Sequence, residues 1–214
     1  MRQLFVMALV AIFFASCGPT IYKADQFSSA AAKHKTVAIL PADINISLRP
    51  NEAKRTTPEQ LAKNEENTGL AMQEKLYGWF LKRKTKFNYT VNFQDVMQTN
   101  SQLEKAGIKY ADLRTKSRKE LAALLGVDAV ISTNVRMDKP MSDGAAVAVG
   151  LAFGVWGNTN KAQTVINIHE ANAGDLMWKY QYEASGSVGS SPDNLVDAIM
   201  RNASRNFPYN GNGK

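Results

Sequence analysis

The single cysteine of this chain limits how its fold can be held together. Cys17 is the only cysteine among 214 residues, so no internal disulfide can form and a packed core must supply the stability. It follows an uncharged, largely apolar run over residues 4–15, which one positive charge, Arg2, precedes. A positive start, a short apolar run and small residues at its end are typical of a secretory signal, whereas a membrane-spanning helix needs roughly 20 apolar residues. The sequence therefore predicts an exported protein that folds without disulfides.

The last residues of this signal predict a lipid anchor. Residues 14–17 read Phe-Ala-Ser-Cys and resemble the lipobox of bacterial lipoproteins, with Phe14 in the place of the usual aliphatic residue. The resemblance implies that the signal peptide (1–16) is removed and that Cys17 is lipidated. Lipoproteins of this class carry two or three acyl chains, whereas one chain alone binds membranes only marginally. Gly18 follows the cysteine where some inner-membrane lipoproteins have Asp, which favours the outer membrane. The protein is expected to face the periplasm, with exposure at the cell surface as the alternative.

The composition predicts one basic globular domain. Hydrophobic residues make up 44% of the chain, which is enough for a core, and the formal net charge is +7. A basic exported protein favours anionic partners such as phospholipid head groups or cell-wall polymers, and export argues against nucleic acid. Residues 17–35 are predicted to be the lipidated cysteine and a tether, residues 36–207 a single domain, and residues 208–214 a frayed tail.

Hydrophobic periodicity and capping signals predict the elements of this domain. Two capping boxes, Thr57 with Gln60 and Ser117 with Glu120, mark helix starts, and Gly126 marks a helix end. The predicted strands are 36–41 with an extension over 44–48, 89–93, 127–135, 165–171 and 176–183, and the predicted helices are 57–83, 96–105, 117–125 and 192–207.

This order of elements predicts an α/β protein of the α+β type. We expect a mixed sheet of about five strands with helices packed mainly on one face. An apolar insertion rich in Gly and Ala, residues 144–157, precedes the C-terminal hairpin.

Three motifs together resemble one family. They are VAILP at 37–41, ELAALLGVDAVI at 120–131 and AGDLMW at 173–178. They are similar to the opening strand, the helix-to-strand junction and the late hairpin of small bacterial lipoproteins that share a fold with the curli secretion-channel lipoprotein and with the amino-terminal domain of the Tol-system propeller protein. In that family the motifs have the form VAVLPF, LGVDAVI and TGELLW, so Ala173 stands where Thr is common. The resemblance implies this fold for residues 36–207.

Within these motifs we interpret Gly126, Asp128 and Trp178 as determinants of the fold. Glycine adopts positive φ without strain and can end a helix. An aspartate at the mouth of a strand can accept bonds from nearby backbone amides. Trp178 falls on the apolar side of its predicted strand.

The sequence offers no residue pattern that is typical of catalysis. His34 lies in the predicted tether and His169 in a predicted strand, and the His, Cys and Asp residues show no metal-ligand spacing. Residues 185–189 match only part of the serine-hydrolase nucleophile motif, which also requires a strand–turn–helix and a histidine partner. We therefore predict a protein that is not an enzyme and that has no cofactor, no metal and no small-molecule substrate.

The insertion over 144–157, GAAVAVGLAFGVWG, carries no charge. As a helix it would align small residues in a seam for close packing, and as a strand it would place its large apolar side chains on one side. Three interpretations stay open: a buried connector, a surface for self-association or a protein partner, and direct membrane contact. The residues of this candidate interaction surface are Ala146, Gly150, Leu151, Phe153, Gly154 and Trp156.

These features together favour a non-enzymatic envelope lipoprotein. We expect a protein-interaction or assembly module that Cys17 anchors to the membrane and that binds envelope proteins or further copies of itself. One alternative is a subunit of an outer-membrane secretion or transport complex, and a second is an enzyme that acts on envelope polymers. The presence of one apolar segment argues against a pore, because each strand in a bilayer needs strand partners.

Overall fold

A mixed β-sheet forms the centre of the molecule. The computed structural model describes residues 18–48, 50–138, 161–185 and 192–211, and these ranges contain seven strands. The strands are β1 (Thr20–Lys23), β2 (Thr36–Ile39), β3 (Asp43–Ser47), β4 (Asn92–Phe93), β5 (Ala129–Asp138), β6 (Lys161–Glu170) and β7 (Leu176–Ser185). The helices are α1 (Phe27–Ala31), α2 (Pro50–Ala53), α3 (Pro58–Phe87), α4 (Val96–Lys105), α5 (Arg118–Leu125) and α6 (Pro192–Ala203), with a 3₁₀ helix over Tyr110–Arg114.

The strand order is β1-β7-β6-β5-β2-β4, and β3 also pairs with β5. β2 and β3 run parallel to β5, whereas β6, β7 and β1 follow in antiparallel pairs. The predicted mixed-sheet α+β fold is confirmed, with seven strands rather than about five. The two further strands are β1 and β3. β3 is separate from β2 because the chain leaves the ladder at Pro41, which has no amide hydrogen to donate.

Helices cover both faces of the sheet, with the larger layer on one of them. Successive side chains of β2 point to opposite faces, so Val37 and Ile39 join the larger core and Ala38 joins the smaller one. The face that was predicted to carry most of the helices is the one covered by α3 and α6. The other face is covered by α4, α5 and the 3₁₀ helix. The larger core takes Met72, Leu76 and Phe80 from α3 and Leu195 and Ile199 from α6. The smaller takes Leu103 from α4, Leu113 from the 3₁₀ helix and Leu121 and Leu125 from α5.

Both predicted capping boxes are present. The Thr57 hydroxyl accepts a bond from the Gln60 amide at 3.2 Å, and the Gln60 side chain accepts one from the Thr57 amide at 3.0 Å. Ser117 and Glu120 make the same reciprocal pair, both at 3.1 Å. Each box satisfies two amides that have no partner inside the helix, which fixes where α3 and α5 begin.

The N-terminal segment differs from the tether predicted over 17–35. β1 pairs with β7 through four residues, and Phe27 of α1 is 1% exposed in the larger core. His34 Nδ1 lies 2.7 Å from the hydroxyl of Tyr209. Tyr209 is itself buried, with its ring 5.3 Å from that of Phe27. The frayed tail predicted over 208–214 therefore does not include Tyr209, and both ends of the described chain are part of the packed domain.

Candidate interaction surfaces

The three residues interpreted as fold determinants lie at one helix end and two strands. Gly126 ends α5 with φ 64°, and its amide donates to the carbonyls of Ala122 and Ala123. Trp178 is 1% exposed in β7, stacked on Tyr180 with ring centroids 5.9 Å apart. The polar contacts of Gly126, and those of Asp128 directly before β5, are with backbone groups of the fold itself.

Asp128 joins the start of β5 to the start of β2. Its Oδ2 accepts bonds from the amides of Lys35 at 2.7 Å and Thr36 at 2.8 Å. Partial burial acts to raise the pKa of this carboxyl, but the two amide bonds outweigh it, so the pKa lies below its ordinary value. The ionised carboxylate thus holds two amides at the point where the chain enters the sheet.

The predicted lipidation and insertion sites lie outside the described residues. Cys17 directly precedes the first described residue, Gly18. The surface predicted at Ala146, Gly150, Leu151, Phe153, Gly154 and Trp156 lies between Asp138 and Lys161, where β5 ends and β6 begins. These assignments stay predictions.

Side chains close the outer edge of β3. The Tyr110 hydroxyl donates to the carbonyl of Ala42 at 2.8 Å and accepts from the amide of Ile44 at 3.0 Å. Arg114 donates to the Ile44 carbonyl at 2.8 Å. An unpaired strand edge is a template for pairing with another chain, and at β3 these contacts occupy the backbone groups that such pairing would use.

The same side chains form an ion-pair network around this edge. Arg114 Nε lies 2.6 Å from Asp43 Oδ1, and its NH2 lies 3.5 Å from Glu65 Oε2. Glu65 also accepts a bond from the Ile46 amide at 3.0 Å. Burial raises the pKa of Tyr110 to about 12, so its hydroxyl keeps its proton at neutral pH. The cluster therefore has a structural task, which is to protect β3.

The edge at β1 is not protected in this way. β1 ends the strand order, so none of the described strands pairs with its outer side. All four of its residues are exposed, including two large apolar side chains, Ile21 at 41% and Tyr22 at 49%. Single exposed apolar residues are common, but here two adjacent ones occupy an open edge.

An apolar cleft of about 860 Å³ lies between α3, α4 and the 3₁₀ helix. Its apolar lining includes Pro41, Leu70, Leu103, Ile108 and Leu113. Leu70 is 36% exposed, whereas Leu103 and Leu113 belong to the smaller core and form the base. The volume falls within the range of about 300–1,000 Å³ that is usual for ligand pockets.

Charged side chains surround this apolar lining. Glu59, Lys63 and Glu66 come from α3, Glu104 from α4 and Lys109 from the loop that follows it. Lys63 and Glu66 pair with each other at 3.0 Å. Three carboxylates face two ammonium groups, so the cleft is locally acidic on a chain of net charge +7.

Buried contacts hold the walls of the cleft at a fixed spacing. The side chains of Gln73 in α3 and Asn100 in α4 exchange two bonds at 3.0 Å. Gln73 also donates to the carbonyl of Ile39 at 2.7 Å, which ties both helices to β2. Gly69 accepts a bond from the Ala42 amide at 3.1 Å. The cleft is therefore a preformed feature of the fold.

Sequence reasoning missed the cleft because its residues come from three separate segments. The one local signal is Leu70, a leucine of α3 outside the buried positions Met72, Leu76 and Phe80. An exposed leucine in one helix does not reveal which other segment faces it. The cleft follows from the packing of α3 beside α4, which the periodicity of either helix does not encode.

The two histidines are buried to different degrees and neither is in the cleft. His34 is 7% exposed, and burial lowers its pKa even though Asp128 and Glu170 act in the opposite direction. His169 lies in β6, where burial, with a smaller contribution from the positive charge of Arg118, lowers its pKa to about 4. Among the described residues, no group of three or more His, Cys, Asp or Glu side chains is placed to hold a metal ion.

Among known proteins, the chain matches solved structures only, and with low sequence identity. No protein-family model and no curated protein matches the chain. One similar structure is lipoprotein GNA1162 from Neisseria meningitidis, at 12% identity and TM-score 0.40, covering 80% of this chain and 95% of that one. Another is a PelC dodecamer from Paraburkholderia phytofirmans, at 12% identity and TM-score 0.44, covering 90% and 96%.

A third similar structure is LpoB from E. coli, at 11% identity and TM-score 0.41, covering 80% of this chain and 73% of that one. The proteins of similar shape thus include one described as a bacterial lipoprotein. Identities of 11–12% and TM-scores of 0.40–0.44 do not show a family, and the resemblance to the curli and Tol proteins stays a prediction. Within the described ranges, no helix combines the length and the hydropathy that a membrane crossing requires.

Proposed function

We propose that this chain is a lipid-anchored bacterial envelope protein that binds a partner protein through the cleft between α3 and α4. The cleft is the single observation that carries the proposal. It is preformed, it is the size of a binding site, and its lining combines apolar side chains with five charged ones. Partner proteins bind most strongly where a large apolar side chain fills such a depression.

The chemistry of the cleft specifies the partner. Leu70 and Ile108 offer apolar walls to a leucine-sized or aromatic side chain. The excess of carboxylates, with Glu59 and Glu104 in addition to the paired Glu66, favours a partner segment that has Lys or Arg beside its apolar residue. The partner is therefore a protein with an apolar side chain flanked by basic residues.

We further propose that the protein has no catalytic activity. The His34 imidazole is buried and its Nδ1 is bonded to the hydroxyl of Tyr209. His169 does not line the cleft, and a pKa of about 4 makes its ring a weak base at neutral pH. Tyr110 touches the cleft, but its hydroxyl is bonded to the backbone of Ala42 and Ile44.

Site-specific photo-crosslinking in intact cells tests the proposed binding site. A photoreactive amino acid at Leu70 is compared with one at Leu81, because both leucines lie on α3 with similar exposure, 36% and 44%, and Leu81 lies outside the cleft lining. We expect a discrete adduct from position 70 and none of the same mass from position 81.

A second-site substitution shows whether the adduct depends on the cleft. Ile108→Lys places a positive charge on the wall opposite α3, where it repels a basic partner segment, and should abolish the adduct from position 70. Leu124→Lys, at an exposed leucine of α5, should leave it unchanged. Identical adducts from positions 70 and 81, or an adduct that survives Ile108→Lys, would refute binding in the cleft.

A further inference from the structure

The position of β1 in the chain determines how far the domain can lie from its membrane anchor. Gly18 and Pro19 are the two residues between Cys17 and the first residue of β1, Thr20. Three residue steps span at most about 11 Å even when fully extended. We infer that the β1 edge of the sheet lies against the lipid head groups of the membrane that holds Cys17. This inference rests on the proposed lipidation of that cysteine.

Release of β1 alone would lengthen the linker by four residues, or at most about 14 Å, because the chain after β1 has contacts of its own. β1 is paired with β7 through four residues, and the Ala24 amide just after it donates to the Met177 carbonyl at 2.9 Å. Phe27 then enters the larger core, and His34 contacts Tyr209. The segment from β1 to β2 is therefore part of the folded domain, and the short linker of Gly18 and Pro19 sets the distance between sheet and membrane.

The exposed side chains of β1 fit the chemistry of a lipid interface. Ile21 and Tyr22 point to opposite sides of the strand and are both about half exposed. Tyrosine is enriched at membrane interfaces because its ring is apolar and its hydroxyl is polar. Lys23 follows in β1, and Lys179 of β7 is the direct cross-strand partner of Tyr22. Both lysines can interact with phosphate groups of the lipids.

This orientation leaves the cleft on the side away from the membrane. From β1 the sheet passes through β7, β6 and β5 before it reaches β3, so four strand spacings separate the two edges. At about 4.8 Å for each spacing, the cleft side lies about 19 Å from β1. A partner protein in the periplasm could then enter the cleft without competing with lipid.

Depth-dependent quenching of a fluorescent label tests the inference on the full lipidated protein. Cys17 is the only cysteine of the chain, and lipidation consumes its thiol. One introduced cysteine is therefore the unique labelling site. The variants are Tyr22→Cys in β1 and, as the control, Met97→Cys in α4, where Met97 is 79% exposed. Each labelled protein is inserted into vesicles of phosphatidylethanolamine and phosphatidylglycerol that contain a lipid with a spin label on its head group.

We expect a loss of fluorescence for the label at position 22 and no loss for the label at position 97. Ile21→Cys provides a second label in β1 and should be quenched as well, which covers the removal of the Tyr22 ring. Mass spectrometry of the same samples reports the lipid on Cys17. Lipidated protein whose labels at 21 and 22 are not quenched would overturn this inference and leave the proposed function standing. A Cys17 without lipid would overturn both.

Discussion

Two glycines of α3 should respond in opposite directions to the same substitution. A glycine-to-alanine change inside a helix normally adds about 1 kcal/mol to the free energy of unfolding. At Gly78 no atom beyond the adjoining backbone of α3 lies within 4 Å of the new methyl group, so this gain is expected in full. At Gly69 the methyl group would overlap the carbonyl oxygen of Ala42 and lie 2.7 Å from Cε2 of Tyr110. That overlap is relieved when α3 moves away from the connection between β2 and β3.

The cost at Gly69 follows from the bonds that this movement stretches. They are the bond from the Ala42 amide to the Gly69 carbonyl and the two bonds of the Tyr110 hydroxyl. Three bonds, two of them part-buried, at about 1 kcal/mol each exceed the helix gain of about 1 kcal/mol, which leaves a net loss of about 2 kcal/mol. For a chain of this length each kcal/mol shifts the melting temperature by about 2–4 °C.

Thermal and urea unfolding of the two variants measure these changes. We expect Gly78→Ala to raise the melting temperature by about 2–4 °C and Gly69→Ala to lower it by about 4–8 °C. If Gly69→Ala stabilised the protein as much as Gly78→Ala, the close approach of α3 to the connection between β2 and β3 would be wrong. Because Gly69 adjoins Leu70, the geometry of the cleft would be wrong with it.

Three further predictions concern the anchor, the C-terminal contact and the pH dependence. Cys17→Ser should abolish incorporation of labelled palmitate in cells, and a labelled variant would refute lipidation at this residue. Tyr209→Phe leaves the buried Nδ1 of His34 without its hydroxyl partner and should cost about 1–3 kcal/mol in urea unfolding, whereas Tyr22→Phe should change stability by less than about 0.5 kcal/mol. Because burial lowers the pKa of His169 to about 4, the unfolded chain binds more protons below its own pKa of about 6.5, so the free energy of unfolding should fall as the pH drops from about 6.5 towards about 4. His169→Gln should reduce that slope, and equal slopes would contradict the assignment.

The elements that local sequence signals encode were predictable. The capping boxes at Thr57 and Ser117 require residues three positions apart, and the alternation in β7 requires residues two apart, so both are visible in a short window. β1 has no such signal because all of its residues are exposed. β1 is a strand because it pairs with β7, and its partners in β7 lie more than 150 residues away in the sequence.

The surfaces were harder to predict than the fold. Their residues are ordinary in their local sequence and become neighbours through tertiary packing. Leu70 and Ile108 line one cleft although 37 positions separate them. Tyr110 and Arg114 lie in a short 3₁₀ helix whose role at the edge of β3 depends on contacts with Ala42 and Ile44. The uncharged insertion over 144–157 was easier to recognise, because its composition is visible without a fold.

The contact between His34 and Tyr209 joins positions 175 residues apart, and this separation affects when the N-terminal segment can pack. Synthesis starts at the N-terminus, so His34 is made long before Tyr209. Until Tyr209 is added, α1 lacks the buried ring that packs against Phe27. A protease that cut ahead of Tyr209 would remove that ring from the folded protein. Loss of a few C-terminal residues would thus loosen the N-terminal segment as well.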